Sequence, residues 1–147
     1  MDQIRFNHEP DGKALAEVAG ITFEQPLDVC ICRVRDEVRL GGVIFSNFNN
    51  WSICMHSASW TPFWINRDLI WVSFDYPFNQ LGVKRIFGMV SGDNTHARKF
   101  NEKLGFRYVN RIKGVYRGDI PRYVMRMDRE DCRFLKLEPR TLGGPDG

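Results

Sequence analysis

The sequence predicts a mixed α+β domain with a central, mostly antiparallel sheet of six to seven strands flanked by helices. Three observations predict it. Between Val29 and Ser57, three alternating apolar runs are joined by short polar turns, which is the pattern of an antiparallel meander. A long apolar helical stretch then separates the third run from another apolar run at 83–90, so those two strands pair in parallel through a right-handed crossover. Finally, a short helix ending in glycine leads into two more strands. With 147 residues, 43% of them hydrophobic, the chain can bury one ordinary core. The domain is expected over residues 1–140, and 141–147 has the composition of a frayed tail.

Gln3 to Phe6 reads as a first strand and His8 to Gly12 as a turn. Asp11 to Ala19 is a short helix stopped by Gly20, and Pro26 breaks the loop that follows. Val29 to Arg35 is a strand, Asp36-Glu37 a turn, and Val38 to Phe48 a strand. Gly41-Gly42 inside it predicts a bulge or a close approach by another group. Asn47 to Asn50 turns the chain into a strand at Trp51 to Ser57. Thr61 followed by Pro62 reads as the cap and first residue of a helix running to Gln80, with Pro77 tightening its last turn.

The stretch from Leu81 to Phe106, LGVKRIFGMVSGDNTHARKFNEKLGF, is the most informative. Val83 to Val90 suits a buried strand, and Asp93 or Asn94 caps the next helix. Ala97, Phe100 and Leu104 share one helical face, and Gly105 falls where a left-handed stop is wanted. Arg107 to Ile112 and Arg122 to Met127 read as the last, antiparallel strands. Asp128 is expected to cap a short helix from Arg129 to about Leu137.

A net charge of +3 is too mild to argue for nucleic acid. The N-terminus MDQIRFNHEP is polar, and no apolar run approaches the ~20 residues of a membrane span, so a soluble cytoplasmic protein without a membrane partner is expected. Cys30, Cys32, Cys54 and Cys132 are expected to be thiols, as in a reducing compartment. The pairs Cys30/Cys32 and Cys54/His56 invite a zinc reading. With a strand between them, however, they stand roughly 9–10 Å apart, too far for one ion, so no metal is expected.

Within 81–106, Asn94, Ala97, Glu102, Lys103, Gly105 and Phe106 match a motif that resembles the acyl-CoA-binding core of the GNAT N-acetyltransferase superfamily. There, a strand leads through an Asn and a small residue into a helix ending E-K-x-G-F. The run from Phe74 to Gly82 (FDYPFNQLG), followed by Lys84-Arg85, is similar to the ribosomal-protein N-terminal acetyltransferase-like branch. It also resembles small GNAT proteins of phages and bacteria. The resemblance implies a GNAT-like sheet whose parallel pair splays apart to admit acetyl-CoA as co-substrate. It also implies direct transfer of the acetyl group to a primary amine in a ternary complex.

By that resemblance, Cys54, Met55, His56 and Ser57 would contact pantetheine. Trp60, Thr61 and Arg67 would sit at the pyrophosphate, with Asn94 and Arg98 on the cofactor as well. The family's pyrophosphate loop is glycine-rich, whereas 60–67 here contains no glycine. Its usual tyrosine acid is replaced by Asn101. His56 is then the candidate base and Tyr116, or Tyr123, a candidate proton donor. The short segment between the first two strands implies an open acceptor cleft, suited to a protein or peptide amine as well as a small one. A homodimer is left open. The alternative is a GNAT-fold binding or assembly module without catalysis, motivated by the glycine-free loop and Asn101.

Overall fold

A computed structural model describes residues 1–115 and 118–140. Among them a seven-stranded sheet runs β1 (Asp2–Phe6), β2 (Val29–Arg35), β3 (Val38–Ser46), β4 (Ser52–Ser59), β5 (Arg85–Ser91), β6 (Arg107–Ile112) and β7 (Arg122–Asp128). The spatial order is β1-β2-β3-β4-β5-β7-β6, and every neighbouring pair is antiparallel except β4 with β5. Three α-helices accompany it: α1 (Glu9–Ala19), α2 (Arg67–Asp75) and α3 (Thr95–Leu104). The tail expected over 141–147 lies outside the described residues.

Strand alternation divides the core between the two sheet faces. Cys30, Cys32, Val34, Ile44 and Ala58 pack with Leu15, Ala16 and Phe23 on the α1 face. Ile31, Val43, Phe45, Ile53 and Met55 pack with Leu69, Phe74, Leu104 and Phe106 on the α2 and α3 face. The turn between β2 and β3 holds Asp36 and Glu37 at φ of 49° and 68°, the left-handed geometry of a tight hairpin. Both expectations for the paired glycines are met. Register slips between Arg33/Gly41 and Val34/Arg39, leaving Leu40 as an extra residue. A Cβ on Gly42 would fall 2.1 Å from the Ile31 carbonyl oxygen.

Several boundaries differ from the sequence reading. The strand begun at Val38 stops at Ser46, because Asn47 turns left-handed at φ 55°. The helix placed from Thr61 begins instead at Arg67, and Asn66 is its cap, its side-chain oxygen accepting from Leu69 N–H at 2.8 Å. Residues 60–65 are thereby freed to seat Trp64 against Gly41 and Phe100. Near its end the helix widens into a π turn, Tyr76–Gln80. Pro77 has no N–H to donate, and Leu81 N–H reaches back five residues to the Tyr76 carbonyl at 2.9 Å. The buried Asp75 carboxylate accepts from Asn79 and Gln80 at 2.7 and 2.9 Å and ties the wide turn together.

The helix expected after Asp128 is two short 3₁₀ turns, Arg129–Asp131 and Arg133–Lys136. Asp128 makes no cap because Arg85, Arg107 and Arg126 hold its carboxylate at 3.3, 3.1 and 3.1 Å. Around α3 the sequence reading holds. Asn94 accepts from Ala97 N–H at 3.1 Å, and Gly105 stops the helix at φ 110°.

α1 is fastened to the sheet by charge. Asp11 is fully buried, and its carboxylate accepts from Arg5 at 2.6 and 2.9 Å and from Arg39 at 2.8 Å. A carboxylate this buried is tolerable only because two guanidinium groups complete its hydrogen bonds. Asp11→Ala should lower the free energy of unfolding by about 3 kcal/mol, measured by urea denaturation, since it strands the two arginines. Full stability in that variant would show that the network is not what holds α1.

Candidate active site

The site begins with a pairing that stops early. β4 and β5 pair only at Ser52–Arg85, Ile53–Ile86 and Cys54–Phe87. Beyond that point β4 stays with β3 as far as Ser59 opposite Gly41, and β5 stays with β7 as far as Ser91 opposite Arg122. Each strand keeps its antiparallel partner, and the two parallel strands separate. The edges of Met55–Ser59 and Gly88–Ser91 then face each other without a ladder between them. Backbone N–H and C=O groups left this way need partners. The gap opens into a cavity of about 570 Å³, within the range of small-molecule sites.

The cavity reaches both faces of the sheet. Met55 belongs to the α2 and α3 side, where Trp64 packs on Phe100 with ring centroids 5.5 Å apart. Asn94, Ala97, Phe100 and Asn101 bring α3 to this wall. On the α1 side the wall is formed by Val18 to Ile21, Ala58, His56 and Arg122. Register places Arg122 there. Its neighbour Tyr123 lies under Arg98 of α3, 4.9 Å from the guanidinium, so Arg122 points to the opposite face.

His56 Nε2 lies 3.2 Å from Ser46 Oγ. Burial pushes its pKa below the ordinary 6.5, and the neighbouring Arg122 pushes the same way, against a smaller pull from Asp28. The imidazole is therefore neutral at neutral pH and able to accept a proton. Asn101 also lines the cavity, its amide 3.8 Å from Met125 Sδ. It can donate a hydrogen bond, but it cannot supply a proton as a tyrosine could.

The structure gathers four of the expected residues, Met55, His56, Ser57 and Asn94, around the cavity. The other expected residues that are described stand apart from it. Cys54 occupies the last paired position, buried, with its sulfur accepting from Asn47 at 3.8 Å. Trp60 is exposed beside Arg39 and Glu17 of the α1 side, and Thr61 accepts from Phe63 N–H. Arg98 stacks on Tyr123. Arg67 donates to the Glu138 carbonyl at 3.3 Å, while the buried Asp68 accepts from Arg140 N–H at 2.6 Å. The chain's own segment 138–140 thus lies on the first turn of α2. Tyr116 lies outside the described residues. Arg122 and Ser91 were missed, because no motif marks them and only the pairing of β5 with β7 brings them to the gap.

An acyl-CoA fits one half of this site and not the other. The unpaired edges of β4 and β5 suit an extended amide chain. The first turn of α2 has no diphosphate cradle: its loop lacks glycine, a buried carboxylate sits at its second residue, and the chain itself covers it. Among the described residues no group of three or more His, Cys, Asp or Glu could hold a metal. All four thiols are buried; burial raises Cys30 to about 11 and Cys32 to about 12, so neither is a ready ligand or nucleophile.

No family model matches the chain, and no curated protein matches it by sequence. Solved structures do match. Mutant forms of the spermidine/spermine N-acetyltransferase SpeG from Vibrio cholerae align at 14% identity and TM-score 0.69, over 88% of this chain and 96% of theirs. Ard1 from Thermoplasma volcanium aligns at 16% identity and TM-score 0.68, over 86% and 97%. A GNAT-family protein from Desulfovibrio desulfuricans aligns at 15% identity and TM-score 0.69, over 87% and 99%. The fold is that of the GNAT acetyltransferases.

Asn94 separates two roles that share one side chain. Asn94→Ala should lose about 1 kcal/mol of stability in thermal or urea melts by removing the α3 cap. Asn94→Asp keeps an acceptor oxygen at the helix N-terminus and should melt like the parent. Equal losses in both variants would show that the cap is not the side chain's structural contribution.

Proposed function

We propose that this chain, built on the GNAT fold, is an acetyl-CoA-dependent N-acetyltransferase acting on a primary amine. One observation carries the reading: the wedge between β4 and β5 holds a neutral histidine beside unpaired backbone edges. Bound acetyl-CoA would supply the acetyl group as an activated thioester. The free N–H groups on the β4 edge are the donors available to a carbonyl oxygen as charge builds on it. Met55 and Ser57 contribute the backbone that faces the cofactor arm, and Asn94 offers its amide from α3.

His56 takes the proton from the incoming amine, directly or through water. The role requires the tautomer in which Nε2–H donates to Ser46 Oγ, leaving the Nδ1 lone pair as the acceptor. Amine and thioester must be present together, so transfer is direct, in a ternary complex: the C–N bond forms, the thioester C–S bond breaks, and the CoA thiolate leaves with the proton returned from the His56 imidazolium or from water. Trp64 and Phe100 wall the α3 side and keep water from the reacting carbonyl. The buried thiols suit a reducing cytoplasm. No helix among the described residues is long and apolar enough to cross a membrane.

A second reading has its own observation. The first turn of α2 is already covered by residues 138–140, which favours a GNAT-fold assembly module that has lost the cofactor. Calorimetric titration with acetyl-CoA separates the two. Saturable binding together with acetyl transfer to an amine supports the enzyme, whereas no heat and an unchanged melting temperature at millimolar cofactor would leave the module.

The pH dependence follows from His56. Its pKa is depressed, so the basic form persists below the ordinary value and is lost only as pH falls further. The acid limb of kcat/KM should therefore have its midpoint below 6.5. His56→Gln should lower kcat about 100-fold and flatten that limb. An unchanged profile in His56→Gln would assign the base elsewhere.

A further inference from the structure

Resting on the acetyltransferase reading, we propose that the acceptor is a primary amine bearing a carboxylate within about one residue's reach, and that Arg122 holds that carboxylate. The side of the cavity is the first ground. On the proposed reading the cofactor's arm lies between the unpaired edges of β4 and β5 with Asn94 of α3 beside it, whereas Arg122 points to the α1 face. A group held by Arg122 therefore approaches the reacting carbonyl from the side opposite the helices, where an acceptor must enter.

Charge is the second ground. Arg122 lines the cavity, and its buried Nε has no hydrogen-bond partner among the described residues. Two other arginines carry an unpartnered Nε, but Arg98 stacks on Tyr123 and Arg126 pairs with Asp128. Arg85 and Arg107 also pair with Asp128. Arg122 has no such carboxylate among the described residues. A guanidinium fork left open in a cavity is a site for a bidentate carboxylate.

The rest of the wall agrees. No Asp or Glu lines the cavity among the described residues. Asp28 acts on His56 through space but does not line the cavity. A polyamine needs carboxylates for its remaining ammonium groups and would instead meet Arg122. An amine that carries its own carboxylate neutralises Arg122 and leaves its nitrogen beside His56. Val18, Ala19 and Ile21 offer an apolar rim for the aliphatic part. The chemistry has two sources, a free acidic amino acid and a peptide N-terminus followed by acidic residues.

Initial rates of acetyl transfer should be compared, at saturating acetyl-CoA, for glutamate, an acidic tripeptide, the same tripeptide with its acids replaced by amides, and spermidine. At least one carboxylate-bearing acceptor should exceed the amide tripeptide and spermidine by about tenfold or more in kcat/KM. Which of the two leads identifies the source. Arg122→Gln should erase that preference through KM, with kcat little changed, and Arg122→Lys should keep part of it. Preference for spermidine, or a preference that survives Arg122→Gln, overturns the proposal. So does an Arg122→Lys variant as impaired as Arg122→Gln.

Titration of the unreacted acidic tripeptide, followed by NMR, keeps this test apart from the enzyme reading. Arg122-dependent binding without turnover on any amine would sink the enzyme and leave the anion site standing. Absence of binding of both the tripeptide and glutamate in the presence of CoA would sink the anion site itself.

Discussion

The site depends on how few residues β4 and β5 share. β5 is held along its full length by β7, and β4 is held by β3 from Cys54 to Ser59, through the whole stretch where it has left β5. Right-handed sheet twist accumulates between them, and their mutual ladder ends after Cys54 opposite Phe87. Closing the gap would mean pulling either strand from its longer partner. The unpaired backbone in the wedge is therefore enforced by pairing elsewhere, and a ligand with extended amide character can use it without reorganising the sheet. The two core clusters, one on each face, clamp the strands in this spread arrangement.

The helix that should answer this wedge is built differently from the glycine-rich form. Asn66 already satisfies Leu69 N–H, Asp68 places a carboxylate in the first turn, and segment 138–140 lies across both. Acidic first turns stabilise a helix through its macrodipole, and the same charge repels phosphate. Stability of α2 and phosphate capture thus pull against each other here. The aromatic loop compensates on the other side. Trp64 reaches from the segment before α2 to Gly41 of β3 and Phe100 of α3, a contact that a Cβ on Gly41 would obstruct at 2.8 Å. Gly41 thus serves the packing of this loop.

Local chemistry made most of the frame legible. Asn94 and Gly105 fix both ends of α3 from short-range hydrogen bonds and backbone preference, so their sequence positions sufficed. The strands of the meander were readable because alternation and turn residues are local as well. Thr61-Pro62 failed as a helix start for a long-range reason: the energetic gain lay in seating Trp64 against β3 and α3, which no window around residue 61 contains. Asp128 looked like a cap and became an ion-pair hub only because β5, β6 and β7 converge on it. Four of the nine expected cofactor residues reached the cavity. His56 was legible as a polar residue on a strand, whereas Arg122 acquired meaning only from register against Ser91.

That register ties Arg122 to His56 energetically as well as spatially. Two influences keep the imidazole neutral, burial first and the charge of Arg122 second. A base held neutral by a nearby cation is available but weak, because the cation also resists the proton it must accept. An anion seated on Arg122 cancels that resistance and leaves burial in place. His56 would then become more basic on arrival of a carboxylate-bearing acceptor, and stay weakly basic when the cavity holds only water. The same pairing brings the substrate's amine and the enhanced base together at one time. A polycationic amine would do the reverse, adding its charge to that of Arg122 and weakening the base it needs. Selectivity and proton transfer in this cleft would thus draw on one electrostatic balance, set by the two residues that β4 and β7 present on the α1 face.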